Sequence, residues 1–353
     1  MRLALVVSVL LLLISILVML ATTVIYRLVR TRTETRSAAQ EAKLRRLLVR
    51  FLSEDLSLSE LQELKRIDSS QFNEISEAML TKVKGRAKDI LVSFLYSRGA
   101  IDQAIERTRK FGCLGRCKAA AFLGNVGIPE AREPLESMLR DRRQDVRTLA
   151  IRCLGQLGSP ESVNALLSAV DDHRRPVPFG AVLVALMRIG ARGKGSVKAG
   201  LESGGTRRRA VAAELLGIEG SIEDTTVLIS LLENDPSMEV KLRSARALGR
   251  IGSPKAIHPL GECLESHQPT ALRIVTCGAL AAIGDRDTVQ EIINLLDDQD
   301  YQVARAAAKA ASQMGPAGIE HLNLVAASNS RGAAFAKEAL ARLAARAPSA
   351  SQG

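Results

Sequence analysis

From Val146 onward, apolar residues recur at intervals of three and four: Val146, Leu149, Ala150, Cys153, Leu154, Leu157. That spacing places them on one face of a helix. The run closes at Gly158, and "SPES" then leads into a second stripe, Val163, Leu166, Leu167 and Val170. A helix, a tight turn and a second helix account for the pattern. The turn returns along the chain as "LGNVGIPEA", "LGQLGSPES" and "LGRIGSPKA", with weaker copies between and after them. Its second glycine falls at Gly127, Gly158, Gly190, Gly220, Gly252, Gly284 and Gly315, at steps of 31, 32, 30, 32, 32 and 31 residues. A period this tight predicts stacked copies of one helical hairpin, each burying its faces against its neighbours. The glycine is expected to follow the first helix in the left-handed conformation. Serine and proline after it are expected to open the second helix, serine as its N-cap.

Before the repeat the pattern changes twice. Leu3 to Ile25 is an uncharged, mostly apolar run. As a helix it reaches about 35 Å, enough to cross a hydrocarbon core of about 30 Å. It is longer than the apolar region of a cleavable signal peptide, and "MLATTVIY" offers no convincing cleavage site. We therefore expect a transmembrane helix over 1–26. Residues 27–112 read as a basic juxtamembrane helix and a helical cap out of register with the repeat, with a capping box at Ser57 and Glu60. The solenoid is expected over 113–346, and a disordered tail over 347–353.

Charge then fixes orientation. Arg27, Arg30, Arg32 and Arg36 follow the apolar run, while only Arg2 precedes it. Cationic flanks stay on the cytoplasmic side. The expected protein is single-pass in an inner (plasma) membrane, N-terminus outside and solenoid in the cytoplasm. The four arginines either set topology alone or also contact anionic headgroups. Beyond residue 118 the charges nearly balance, at 28 Lys/Arg against 26 Asp/Glu, and aromatics are 3% of the chain. Neither fits a specific nucleic-acid track, which needs basic excess on the folded body and stacking faces.

Within each period an acid precedes the first apolar landmark and a base follows it. Asp141 stands before Val146-Arg147, and Asp235 before Val240-Lys241. Asp298 keeps the acid before Val303, but Ala304 drops the base; His267 replaces the acid before Leu272. This pattern resembles the HEAT repeats, in particular the short bacterial subclass named after phycobilin lyases. The resemblance covers about Gly115 to Ala345 and is most degenerate over Pro176–Gly220. It implies an all-α, right-handed solenoid of about seven HEAT-like hairpins, with acids and bases of adjacent units hydrogen-bonded in a ladder. It also implies a long concave face, lined by second helices, that serves protein partners.

Candidate chemistry is sparse. The five cysteines lack zinc or disulfide spacing and read as core fillers. HEAT-fold hydroxylases use several His-Glu pairs, and this chain has no His-Glu dipeptide. Asp297, Asp298 and Asp300 lack the glycine and distal glutamate of a calcium loop and read as a polar turn. Arg207, Arg208 and Arg209 form the densest basic run of the body: a solvated helix start, or a contact for an acidic partner. A GxxG loop that binds nucleic acid would occur once, not seven times. The expected function is a non-enzymatic, membrane-anchored scaffold that needs no cofactor and holds a protein partner, such as a membrane enzyme. The alternatives are an accessory subunit of a lyase-like or other modifying enzyme, and anionic-lipid or nucleic-acid binding through the basic flank.

Overall fold

The computed structural model describes residues 19–20, 23, 42, 44–51, 53, 69–110, 112–202 and 204–346. Most of the apolar run, together with Arg27, Arg30, Arg32, Arg36, Ser57, Glu60 and residues 347–353, lies outside them. Among the described residues, no helix is long and apolar enough to cross a membrane.

The chain forms two compact units, divided between Lys110 and Phe111. In the first, α1 (Ser69–Leu80), α2 (Arg86–Ser97) and α3 (Ala100–Lys110) bury Phe72, Leu91, Leu95 and Ile101. The Arg98 guanidinium lies 4.5 Å from the centre of the Phe72 ring, a cation–π contact over the core.

The second unit is a HEAT-like solenoid of hairpins. In chain order these are α4 (Cys113–Val126) with α5 (Arg132–Met138), α6 (Gln144–Leu157) with α7 (Val163–Asp171), and α8 (Phe179–Ile189) with α9 (Lys194–Glu202). They continue with α10 (Thr206–Glu219) and α11 (Thr225–Asn234), α12 (Met238–Ile251) and α13 (Ile257–Glu262), α14 (Thr270–Ile283) and α15 (Val289–Asn294). The last are α16 (Tyr301–Ala311) with α17 (Gly315–Ala327), followed by α18 (Ala333–Arg346). The first helices stack side by side, α4 on α6, α6 on α8, and α10 through α16 in succession. Their buried faces carry the residues that the three-and-four spacing selects: Val146, Ala150, Cys153 and Leu154 in α6, and Val240, Ala247 and Leu248 in α12. The stack changes at α10, which lies against α7 as well as α8. This falls in the stretch where the sequence pattern is weakest.

The turn glycines divide into three kinds. Gly127, Gly158, Gly220, Gly252 and Gly284 cap their helices in the left-handed region. At Gly252, φ is 70° and the amide donates to the Leu248 carbonyl at 3.0 Å. Gly190 has positive φ but an extended ψ of −154°, so it redirects the chain into a 3₁₀ turn (Gly190–Gly193) rather than closing a left-handed cap. Gly315 does not close α16 at all. That helix ends at Ala311, and Gly315 is the first residue of α17. "SQM" occupies the linker between them, so the landmark marks the far side of the turn there.

The serine expectation also needs correction. Ser159 and Ser253 make no side-chain cap. Proline's fixed φ instead starts one 3₁₀ turn, Pro160–Ser162 or Pro254–Ala256, before the α-helix begins. The serine carbonyl, not its hydroxyl, closes that turn: the Ala256 amide donates to the Ser253 oxygen at 3.0 Å.

The first glycine of each turn has a separate task. A Cβ added to Gly249 would lie 2.7 Å from the Ala279 Cα on the next first helix. Gly124 abuts the Cys153 side chain, while Gly155 meets Ala185 and Gly217 meets Ala247 backbone to backbone, as Gly249 meets Ala279. The two glycines of one turn therefore fail differently when substituted. Gly252→Ala meets nothing within 4 Å and is expected to lose only the left-handed preference, about 1 kcal/mol. Gly249→Ala must push two helices apart and is expected to cost about 2–3 kcal/mol. Chemical denaturation of the two variants checks the order; an equal or reversed loss contradicts the close-approach role.

Candidate interaction surface

The fourth residue of a first helix is Arg116, Arg147, Arg209, Lys241 or Arg273 in five of the hairpins. At that position a long cation points from the helix start toward the loop that leaves the same hairpin. Three of them meet an aspartate there. Arg116 Nε lies 2.7 Å from Asp141 Oδ2, and Arg209 Nε lies 2.7 Å from Asp235 Oδ2. Arg273 holds Asp298 through both terminal nitrogens, one of them at 3.2 Å. Each aspartate then accepts from an amide two residues on: Arg143 for Asp141, Ser237 for Asp235 and Asp300 for Asp298, all at 2.8 Å. One carboxylate thus fastens the end of one hairpin and shapes the entry to the next first helix. This is the acid–base ladder implied by the resemblance, with each base reaching forward to the following unit's acid.

The ladder is incomplete where the sequence departs from the pattern. Val182 holds the fourth position of α8, so no base reaches forward from that helix. Arg147, almost fully buried, donates instead to the carbonyls of Asp141 and Pro176 at 2.9 and 2.8 Å. Lys241, which faces His267 in place of an acid, donates to the Glu233 carbonyl at 2.7 Å. Other charges fasten this part of the stack. Asp171 caps the start of α10 from a distance, accepting from the amides of Gly205 and Arg208 at 2.8 and 3.1 Å. Asp224, fully buried, holds Lys194 and Lys198 of α9 at 2.9 and 2.7 Å. Glu214 is held by Arg243 and Arg250 of α12 at 3.0 and 2.6 Å, and Arg243 also covers the Phe179 ring at 4.6 Å.

Arg207, Arg208 and Arg209 do not converge on one outward-facing patch. Arg209 is the ladder base of α10. Arg208 reaches Asn164 at 3.3 Å, and Arg207 the Val177 carbonyl at 3.4 Å. The run reads as basic in sequence because three neighbouring positions serve three different internal bonds.

The acidic turn is similarly engaged. Asp297 accepts from the Gly332 amide at 2.7 Å, Asp298 belongs to the ladder, and Asp300 accepts from the Thr270 hydroxyl at 2.7 Å. Among the described residues, no group of three or more histidines, cysteines or carboxylates is placed to hold a metal. Burial pushes the thiols of Cys153 and Cys263 up to about 11 and that of Cys277 to about 12. These thiols are packing groups rather than nucleophiles.

An open recess lies on the first-helix side of the unit. Tyr301, Arg305 and Lys309 of α16 and Arg342 of α18 line about 340 Å³ of it. It adjoins a narrower cleft of about 90 Å³ walled by Phe335, Ala339 and Leu343. Glu338 sits at the rim, 3.3 Å from Arg305 and 2.5 Å from Arg342. No residue of this recess was singled out by the sequence pattern.

Comparison with known proteins finds HEAT repeats at residues 102–187 and 258–342, and a PBS lyase HEAT-like repeat at 240–266. Residues 188–239, which lie outside these matches, include the intact Arg209–Asp235 rung. A HEAT repeat-containing taxis protein of Halobacterium salinarum is 34% identical over 152 residues, 42% of this chain and 34% of that protein. The chain therefore spans about a third of the length of this curated relative. Among solved structures, Kap121p aligns over 84% of this chain and 41% of its own, at 15% identity and a TM-score of 0.51; this likeness shows the fold alone. The complex of CpcE and CpcF of phycocyanin lyase from Nostoc sp. PCC7120 aligns over 69% of this chain and 87% of its own, at 19% identity. Its TM-score of 0.30 is too low to carry an argument.

The ladder has a pH signature. In Asp298 the Arg273 hydrogen bond holds the carboxyl below the ordinary range. In Asp141 burial opposes ionisation, but the Arg143 amide and the Arg116 guanidinium outweigh it and the pKa is again lowered. A carboxylate depressed in the folded state stabilises fully above its unfolded pKa, near 4. It loses that contribution as pH falls through the folded value. Arg273→Met is expected to cost about 2 kcal/mol near neutral pH and to flatten the decline below about pH 4. Thermal melts of both proteins from pH 3 to pH 7 check this; parallel curves contradict it.

Proposed function

We propose that this HEAT-repeat chain is a non-enzymatic scaffold that holds a protein partner on its solenoid. One observation carries the reading: large apolar side chains stand exposed on adjoining first helices. Val184 and Met187 of α8 are 51% and 46% exposed, and Ile218 of α10 is 38% exposed. They lie where the stack is least regular. Surface apolar groups gathered in this way mark association sites more than solvent-facing polar surface does.

In this proposal residues 1–26 anchor the chain in a bacterial-type inner (plasma) membrane, with its N-terminus outside and the solenoid in the cytoplasm. Arg27, Arg30, Arg32 and Arg36 hold that orientation, since cationic flanks resist translocation. The partner is then a protein at the same membrane face, such as a membrane enzyme. The basic flank adds contact with anionic headgroups rather than specificity for nucleic acid.

Two measurements test the proposal. Cross-linking the intact protein in membranes is expected to recover a defined protein partner, and recovery of none in mild detergent sinks the scaffold reading. A reporter fused after Gly353 is expected to be active only in its cytoplasm-sensing form; the opposite activity overturns the orientation.

A further inference from the structure

We propose that the recess between α16 and α18 receives an acidic segment of the partner protein, with Lys309 and the two arginines meeting its carboxylates. The proposal rests on the scaffold reading and adds to it the chemistry of the ligand.

Four features support it. First, the local charge is one-sided: residues 301–353 carry six Lys/Arg and two Asp/Glu, whereas 251–300 carry three and eight. Second, the cations of the recess are not all neutralised. Glu338 is shared between Arg305 and Arg342, and no described carboxylate lies within ion-pair distance of Lys309. Third, Arg305 and Lys309 are four residues apart on α16, so they lie on one face of that helix and present a row of charge. Fourth, the adjoining cleft shares Arg305, Lys309 and Arg342 with the recess and adds an apolar side from Ala308, Phe335, Ala339 and Leu343, and Tyr301 is 63% exposed at the opening. A site with a cationic rim and an apolar floor matches a peptide that alternates carboxylates with aliphatic side chains. Bare phosphate or a nucleic-acid backbone would leave the floor unused and would meet the Glu338 carboxylate head-on. The tail 347–353 carries no acidic residue, so charge complementarity does not select it as the occupant.

Glu338 makes the inference specific. It occupies two cations that an incoming carboxylate would use, so it competes with the ligand. Removing its charge should strengthen binding, an effect that a purely structural ion pair would not produce.

The test uses the full chain and a fluorescein-labelled amphipathic peptide of Leu-Glu-Glu-Ala repeats, read by anisotropy. Its lysine counterpart and phosphatidylserine vesicles serve as controls. The glutamate peptide is expected to bind, more weakly as NaCl rises from about 50 to about 200 mM. Lys309→Glu is expected to weaken binding at least about tenfold, and Lys309→Arg to retain it. Glu338→Gln is expected to tighten it, and Arg188→Glu, an exposed change on α8, to leave it unaltered. Matching melting curves for Lys309→Glu and the unaltered protein show that the fold is not the cause. Absence of peptide binding overturns the proposal. So does equal binding by Lys309→Glu, or weakening by Glu338→Gln. Vesicle binding that depends on Lys309, without peptide binding, would assign the recess to lipid instead. Self-association of the unaltered chain that Lys309→Glu abolishes would assign it to a second copy. The membrane cross-linking separates the two levels of the argument. If Lys309→Glu captures the same partner as the unaltered chain, the recess proposal falls and the scaffold stands; if neither captures one, the scaffold reading falls.

Discussion

Neighbouring first helices touch through a glycine on one side and a small residue on the other, and the remainder of the stack follows from that contact. At Gly249 and Ala279 the backbones are too close for any added carbon. Helices normally pack about 8–10 Å apart, with side chains setting the distance. Here the smallest side chains set it, which pulls the C-terminal halves of successive first helices together. Leucines such as Leu216, Leu248 and Leu280, fully buried beside these positions, gain their burial from this approach. A contact between two backbones constrains distance strongly and rotation weakly. The ladder supplies what is missing, because it acts at the opposite end of the same helices. Arg116, Arg209 and Arg273 reach across each hairpin to an aspartate that in turn orders the entry to the next helix. Distance is fixed at one end and rotation at the other, and a repeating angle between hairpins is the result.

The ladder's energetic role is narrower than its bond count implies. Drawing a guanidinium and a carboxylate out of water costs most of what their attraction returns. The Arg273–Asp298 pair, with Arg273 only 5% exposed, therefore adds little net stability compared with two well-packed aliphatic residues in its place, although removing one partner alone strands the other. What it adds is discrimination between registers: a hairpin slipped by one helical turn would bury the guanidinium without its partner. The broken region supports this view. Around α8, where Val182 replaces the base, the stack persists through other pairs, with Asp171 capping α10 and Asp224 holding two lysines. The requirement is that some satisfied charge define each junction, not that one particular pair do so.

The period, the hairpins and five of the seven turn glycines were legible in the sequence because each depends on local chemistry repeated at fixed spacing. The ladder was legible in outline for the same reason. Three other features were hidden. The first glycine of each turn touches a residue 29 or 30 positions onward. Its signal was present, since Gly124, Gly155, Gly217 and Gly249 recur after leucine with Cys153, Ala185, Ala247 and Ala279 opposite, but it appears only when two repeats are compared as a pair. Arg207 to Arg209 looked like one patch because adjacency in sequence was read as adjacency of function. Asp235 lies 26 residues beyond Arg209, one more than the 25 from Arg116 to Asp141 and from Arg273 to Asp298, and of the three arginines Arg209 comes nearest that spacing. Ser159 and Ser253 misled for a different reason: a serine before proline fits both an N-cap and the first carbonyl of a 3₁₀ turn.

The recess between α16 and α18 could not be seen in the period at all, and the ladder explains why it lies where it does. Inside the stack, each fourth-position cation is drawn to an internal acid or carbonyl, so the charge at that position is consumed by the fold. That economy ends with α16. Its fourth residue is Ala304, buried and without charge, and the loop from Ser328 to Gly332 offers no acid to receive a base. The cations that remain, at Arg305, Lys309 and Arg342, sit at positions the repeat does not assign. They share one carboxylate from α18 between two of them and leave the third without one. A solenoid that uses its own charges to set its geometry has charge to offer a ligand where the repeat stops using it, and the recess at the last full hairpin is such a place.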